Sequence, residues 1–493
     1  MKEMNWLVVY PELVLLVMAL VIALVDLWVR DERRLATYWL TQATLAVVAF
    51  MHLAYFESGI TLYGMQRMLV SDPMGNLLGF FATLAVMMTL AYARPYAAPR
   101  GMLKGELFTL SMFSLLGILI MLSANNFLVV YLGLELMSLS LYALVAMRRD
   151  DASATEAAMK YFVLGALSSG FLLYGMSMMY GATGSLDIPE VFGAIATGQI
   201  NKSVLAFGLV FIVSGLGFKL ATAPFHMWVP DVYHGAPTAV TLLVAGAPKL
   251  AAFAITFRLL VEGFTGLAAD WQQMLIVLAV ASMAVGNFAA IAQTNLKRML
   301  AYSTIGQMGF MLLGFTPTVI TGNTFSAANG YSSALFYVVV YVFTTLGTFG
   351  LIALLARAGH ESEEIADFKG LARRSPWFAA VMALFMFSLA GVPPTVGFYA
   401  KLAVLQAIVS TNVTGYIVLA VVAVLLSLVG AFYYLRIVKT MYFDEPVDTT
   451  PITSSGEARA LMSLNGAAVL VFGVLPGGLM AMCAQAIVKA LGT

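Results

Sequence analysis

The chain has 493 residues, 61% of them hydrophobic and 10% charged, with a mean hydropathy of +0.91. A soluble domain carries roughly 25% charged residues, so a soluble globular fold is excluded and most of this chain meets lipid. The 26 Lys and Arg against 25 Asp and Glu leave a net charge of +1, too small a basic excess for nucleic-acid binding. The single cysteine, Cys483, rules out an internal disulfide and a cysteine-held metal or iron-sulfur centre.

A spanning helix needs about 20 apolar residues. Apolar runs between charged or Gly/Pro-rich breaks predict an all-α polytopic membrane protein of about fourteen transmembrane helices. The first, Asn5 to Val29, is too long for a signal core, contains Glu12 and Asp26, and is followed by charges of both signs at Arg30 to Arg34. It reads as a retained span, with Glu12 at its interfacial end. Next come Ala36 to Phe56, Asp72 to Ala93, Glu106 to Ser123, Asn126 to Met147 and Ala154 to Gly181. The second half adds Ser203 to Pro230, Thr238 to Val261, Trp271 to Ala292, Met299 to Phe315, Ala327 to Ala356, Trp377 to Val409, Gly415 to Met441 and Leu461 to Leu491. No composition shift divides the chain, so residues 1–493 read as a single membrane domain. The longest polar connections are Arg357 to Pro376 and Phe443 to Ala460.

Cytoplasmic loops collect Lys and Arg. Here the ends of even-numbered spans and both termini hold only Lys2, Arg67, Lys202, Arg258 and Lys489. Four more cations, Lys160, Lys219, Lys249 and Lys401, lie inside spans, and the remaining seventeen of the 26 follow odd-numbered spans. Both termini are therefore expected on the non-cytoplasmic side.

Of the four interior cations, Lys160 sits about two turns into its helix and is expected to snorkel. Lys249 is 11 residues from Thr238, about 16 Å deep, and Lys401 is 8 residues before Val409, about 12 Å deep. Lys219 lies between Ser203 and the helix-breaking Pro224. One carboxylate reads as comparably deep, Glu135, 9 residues and about 13 Å from Asn126. A charge at the bilayer centre costs at least about 2.5–3.5 kcal/mol, so these groups must face the bundle interior, a partner or water. Static ion pairs between helices are one use of them. A proton path is the other, because burial favours a neutral lysine, a neighbouring carboxylate favours a charged one, and a side chain held between the two exchanges its proton readily.

Two of the lysine-bearing spans are interrupted, one by Ala223-Pro224-Phe225 and one by Gly391-Val392-Pro393-Pro394. Broken helices at matching places in two halves of a chain point to an inverted-repeat transporter. His226 and His234 lie in Pro224-Phe225-His226 and Val232-Tyr233-His234 without a zinc spacing. They read as hydrogen-bonded histidines at the helix break, with proton passage as the alternative. Gly215-Leu216-Gly217 lacks the strand and helix context of a phosphate loop, and no cofactor or metal motif is present.

The segments Gly217-Phe218-Lys219-Leu220, Pro224-Phe225-His226-Met227-Trp228 and Pro230-Asp231-Val232-Tyr233-His234-Gly235-Ala236-Pro237 resemble the seventh-helix signature of the antiporter-like subunits of respiratory complex I. Gly133-Leu134-Glu135-Leu136, Pro248-Lys249-Leu250, Asn295-Leu296-Lys297-Arg298-Met299-Leu300 and Gly391-Val392-Pro393-Pro394 with Lys401 fit the same family in order. The resemblance implies two inverted five-helix repeats, helices 4–8 within residues 106–262 and helices 9–13 within residues 270–442. Broken helices 7 and 12 belong to one repeat each, helices 1–3 precede them in residues 1–105, and helix 14 follows in residues 460–493.

It also implies roles. Glu135 and Lys219 would form a switchable ion pair, Lys249 the central relay, and Lys401 the terminal proton donor or acceptor. The eleventh helix lacks the histidines of some relatives and offers Tyr337 and Tyr341 instead, and another member of the family places a glutamate where this chain has Lys401. The implied activity is proton translocation as a subunit of NADH:quinone oxidoreductase in a bacterial inner membrane, beside other membrane subunits of that complex. The chain itself would hold no redox centre: FMN, iron-sulfur clusters and quinone are expected in partner subunits. A subunit of a multisubunit Na+/H+ antiporter and a passive membrane scaffold are the competing readings.

Overall fold

The computed structural model describes residues 4–198, 200–317, 324–357, 360–446, 452 and 456–492. Lys2 and part of the predicted Phe443 to Ala460 connection lie outside them. Helices dominate because lipid offers no hydrogen-bond partners, so each spanning backbone must satisfy itself. Twelve helices among the described residues are long and apolar enough to cross a membrane. The predicted tenth and twelfth spans are also helical but fall short of that length, as Leu296–Leu312 and as the pair Pro376–Ala390 and Val396–Val409.

Helix starts follow from local chemistry. Asp72, Asn126, Asp151, Asn201 and Asn295 each stand in extended backbone and accept a main-chain N–H of the first turn that follows. Several elements depart from the expectation. A short antiparallel hairpin pairs Leu62–Gly64 with Leu69–Ser71, and an extra helix, Ile188–Ala196, follows the sixth span. The fourteenth span is divided at Pro476 into Gly456–Val474 and Gly477–Leu491, because proline forces a break that a hydropathy window averages over.

The deepest elements are the Thr238–Gly263 span, wholly buried in its apolar window, and Asn329–Leu355, 94% buried. These two carry Lys249 and the pair Tyr337 and Tyr341 through the middle of the bundle. Close helix contacts need glycine at two matching places. A Cβ on Gly117 would come within 2.4 Å of the main chain of Met137, and one on Gly286 within 2.5 Å of that of Gly306. The first contact draws Gly105–Ser123 against Phe127–Val145, the helix of Glu135.

Three charged residues are more buried than their places near span ends suggest. Glu12, in the first turn of its helix as expected of an end-of-span residue, is packed against protein at 8% exposure. Arg258, expected among the end-of-span cations, is 1% exposed and bound to Asp72 at 2.9 Å and Glu262 at 3.2 Å. Lys297, expected in a loop, is equally buried and donates to Glu363 and to the Ala236 oxygen, each at 2.7 Å. Hydropathy alone cannot foresee these, since Asp72 and Glu363, the partners of Arg258 and Lys297, come from distant parts of the chain.

Candidate functional site

Glu135 and Ser138 lie three residues apart and so share one face of Phe127–Val145. Lys219, in the last turn of Lys202–Leu220, donates to Ser138 Oγ at 3.1 Å. Glu135 Oε1 is buried and has no hydrogen-bond partner, and the hydrogen bond of the Lys219 ammonium goes to Ser138.

Both broken helices expose carbonyls that would be sealed in a continuous one. Lys202–Leu220 ends where Ala221 turns left-handed, at φ 69°, and Pro376–Ala390 ends where Gly391 does, at φ 84°. The last carbonyls of a helix lack intrahelical partners and carry the negative end of its dipole. At the first break, the Phe218 oxygen accepts from Trp228 Nε1 at 3.0 Å and the Lys219 oxygen from Lys249 Nζ at 3.3 Å. At the second, Lys401 Nζ donates to the oxygens of Leu389, at 3.1 Å, and Ala390, at 3.0 Å, and to Ser427 Oγ at 2.8 Å. Two of the three predicted lysines thus sit on the carbonyl ends of half-helices, one in each half of the chain. Lys219 and Lys249 line one cavity of about 20 Å³ with Tyr161, Phe218 and Trp228.

Between Lys249 and Lys401 runs a band of neutral polar groups. Tyr341 donates to Thr304 Oγ1 at 2.7 Å. Tyr337 donates to Gln307 Oε1. The Gln307 amide donates at 2.9 Å both to Tyr434 Oη and to the Leu389 oxygen, the same oxygen that receives Lys401. Tyr434 in turn meets Ser303 Oγ at 2.5 Å. On the Lys249 side, the buried Tyr233 hydroxyl has no hydrogen-bond partner and has Tyr341 and Thr304 among its electrostatic neighbours. Lys401 also borders a larger cavity of about 330 Å³, lined by Phe398, Leu402, Leu405 and Leu428.

The structure therefore gathers the predicted residues into a buried polar interior in two groups: Lys219, bound to Ser138 on the helix of Glu135, lines one cavity with Lys249, and Tyr337, Tyr341 and Lys401 line a second. His226 and His234 are half-buried outside both groups. His226 Nδ1 has no hydrogen-bond partner, and His234 stands among Lys297, Arg298, Glu363 and Glu364. Lys160 does not simply snorkel: it bonds Asp231 and Glu156, each at 2.8 Å, and Asp231 also holds Arg298 at 2.7 Å. Ser138, Gln307, Ser427 and Tyr434 were missed from sequence, because a neutral polar residue in an apolar run carries little signal there. Gln307 is the one a reader could have found, as a glutamine deep in a predicted span.

The description NADH:quinone oxidoreductase/Mrp antiporter, TM, matches residues 124–427. A NADH-quinone oxidoreductase subunit N from Polaromonas naphthalenivorans (strain CJ2) is 62% identical over 488 residues, covering 98% of each chain. One from Herminiimonas arsenicoxydans is 62% identical over 497 aligned positions, covering 100% of each. A chain of respiratory complex I from Thermus thermophilus with bound aureothin superposes with a TM-score of 0.80 at 30% identity, over 97% of this chain and 100% of that one. A chain of the Mrp complex from Dietzia sp. DQ12-45-1b shares the fold, with a TM-score of 0.85 at 20% identity over 100% and 99%. Matched over nearly its whole length, and carrying buried lysines at its two helix breaks, the chain belongs to the NADH:quinone oxidoreductase/Mrp antiporter family, in the branch of NADH-quinone oxidoreductase subunit N.

Proposed function

We propose that this chain is a proton-translocating subunit in the membrane arm of a bacterial NADH:quinone oxidoreductase, and that Glu135, Lys219, Lys249 and Lys401 carry its proton path. The observation that bears this reading is the pair of buried lysines on half-helix carbonyls, Lys249 on the Lys219 oxygen and Lys401 on the Leu389 oxygen that Gln307 shares, with Tyr337 and Tyr341 lining the same small cavity as Gln307 and Lys401. The chain works in the inner membrane beside other membrane subunits of that complex, with both termini on the non-cytoplasmic side. About fourteen spans arranged as two inverted repeats place one broken helix in each repeat. FMN, iron-sulfur clusters and quinone belong to partner subunits, where electrons pass from NADH to quinone.

The mechanism is electrostatic. With Glu135 bound, Lys219 keeps its charge close to the carboxylate. In this structure its ammonium lies on Ser138, and its carbonyl holds Lys249. Two unit charges about 7 Å apart interact by about 2.4 kcal/mol at an effective dielectric of 20, roughly fiftyfold in proton affinity. Movement of Lys219 away from Glu135 therefore drives the Lys249 proton toward the tyrosine and glutamine band, and Lys401 receives it. The relay residues between are neutral at rest, so they add no buried charge except while a proton passes.

NADH-driven proton uptake into proteoliposomes holding the purified complex tests this. The reading expects coupled pumping that falls when any of the four ionisable groups is neutralised. NADH oxidation with undiminished pumping in all four variants would exclude it. Sodium-stimulated transport by an assembly lacking FMN and iron-sulfur subunits would favour the antiporter alternative.

A further inference from the structure

A second buried polar cluster lies outside this band, among the first four spans. Glu12, His52, Ser71, Asn76 and Ser123 line a cavity of about 10 Å³, room for one water. Glu12 is 8% and His52 4% exposed, and Glu12 Oε2 and His52 Nε2 both lack a hydrogen-bond partner. The proton on His52 can be placed from its surroundings. Asn76 Nδ2 lies 2.9 Å from the Asp72 main-chain oxygen, which can only accept, and 3.0 Å from Ser71 Oγ. That fixes the Asn76 amide with Oδ1 facing His52 Nδ1 at 3.1 Å, so Nδ1 must be the donor. Nε2 of the neutral ring is then a bare acceptor, opening on the same cavity as the unpartnered Glu12 oxygen. Gly79 leaves space for the ring, since a Cβ there would come within 2.8 Å of it.

Two facing acceptors in a dry interior are unfavourable until a proton or a donor lies between them. We propose that Glu12 and His52, bridged by one water, form a further proton-binding site of this chain. The site holds one proton either as a neutral acid beside a neutral imidazole or as carboxylate beside imidazolium. In passing between the two forms, the Glu12 O–H bond breaks, the water relays a proton, and an N–H bond forms at Nε2.

Among the described residues, the charged and titratable groups around it are Asp72, Arg258, Glu262, Tyr55 and Tyr10. Asp72 and Arg258 flank Gly75, with Glu262 on the far side of Arg258. Tyr55 faces Glu12 from the Leu35–Ser58 helix, and Gly105–Ser123 presents only neutral residues to the cavity. Hydrogen bonds run from the site to Arg258, on the span that carries Lys249. His52 is held by Asn76, Asn76 by Asp72, and Asp72 by Arg258, which stands nine residues after Lys249 on the same span.

The test is infrared difference spectroscopy of the intact complex between acidic and alkaline pH, parent against Glu12→Gln. The expected double difference contains a protonated-carboxyl band owned by Glu12. That band shifts in the His52→Gln complex, which leaves Glu12 untouched and serves equally if Glu12→Gln fails to assemble. It persists in Lys219→Ala, so a loss of pumping through the lysine band is read separately. No pH-dependent carboxyl band from Glu12, or a band indifferent to His52→Gln, overturns the proposal.

Discussion

Lys249 Nζ rests 3.3 Å from the main-chain oxygen of Lys219. The end of one half-helix therefore joins the two basic residues, and a change in where the Lys219 side chain lies alters the field at the Lys249 ammonium without breaking their backbone contact. The carbonyl end of a helix stabilises a cation by about 0.3–1 kcal/mol or more, which helps hold Lys249 in place while its proton moves.

Glu135→Gln and Lys219→Ala are each expected to lower protons pumped per NADH, at matched complex content, because each removes one member of a pair worth about 4 kcal/mol at a separation of about 4 Å and an effective dielectric of 20. Glu135→Asp, which keeps the charge on the same helix face, retains more pumping than Glu135→Gln. Parent-level pumping in both neutral variants would remove the switch.

Gln307→Leu is expected to impair pumping and to lower complex stability by about 1–3 kcal/mol, since it strips partners from Tyr337, Tyr434 and the Leu389 oxygen. Tyr337→Phe removes only one of those bonds and is milder in stability. Thermal unfolding of the purified complex, read beside proton translocation, separates the two effects. Gln307→Leu with full pumping would place the proton path elsewhere.

Lys401→Glu is expected to pump better than Lys401→Ala. The atoms around Lys401 Nζ accept hydrogen bonds, so a glutamate there fits as the protonated acid, which can donate one. A structural role predicts the opposite order, since an ionised carboxylate would face carbonyl oxygens while alanine only leaves them unpaired. Protons per electron, with complex content checked by immunoblot, decides between them.

Arg258→Met is expected to cost roughly 3–5 kcal/mol, because it strands Asp72 and Glu262 without their buried cation. Arg258→Lys recovers part of that, with fewer donors to share between Asp72 and the Leu122 oxygen. Yield of assembled complex and its unfolding temperature measure both.

Glu361, in the polar connection after the eleventh span, links Tyr96 at 2.7 Å, Arg100 at 3.0 Å and Arg148 at 3.3 Å. Burial pushes its carboxyl up, but the hydrogen bonds from Arg100 and Tyr96 and the charges of Arg100 and Arg148 outweigh that and hold it below the usual carboxylate value. A depressed carboxyl stabilises the fold above its unfolded-state value and loses that contribution as pH falls through its folded one. Glu361→Gln is therefore expected to lower the unfolding temperature at neutral pH and to converge on the parent under acid. A constant difference across the pH range would show that the ion pairs contribute nothing.

The amino-acid sequence alone places the apolar runs, the breaks at Pro224 and Pro393-Pro394 and the positions of Lys219, Lys249 and Lys401 inside apolar runs. All of these depend on neighbours within one span: about twenty apolar residues in a row favour lipid, and a proline removes a hydrogen bond from its own helix wherever the rest of the chain goes, although Pro95 is accommodated inside Pro73–Ala97. Depth along a helix, however, says nothing of which way a side chain faces or what it meets. Packing between helices is what buries Glu12 at the start of its span, binds Arg258 to Asp72 from 186 residues away and lets Lys401 share the Leu389 oxygen with Gln307. Those partners come from different helices, and only packing brings them within the roughly 3 Å at which a hydrogen bond forms.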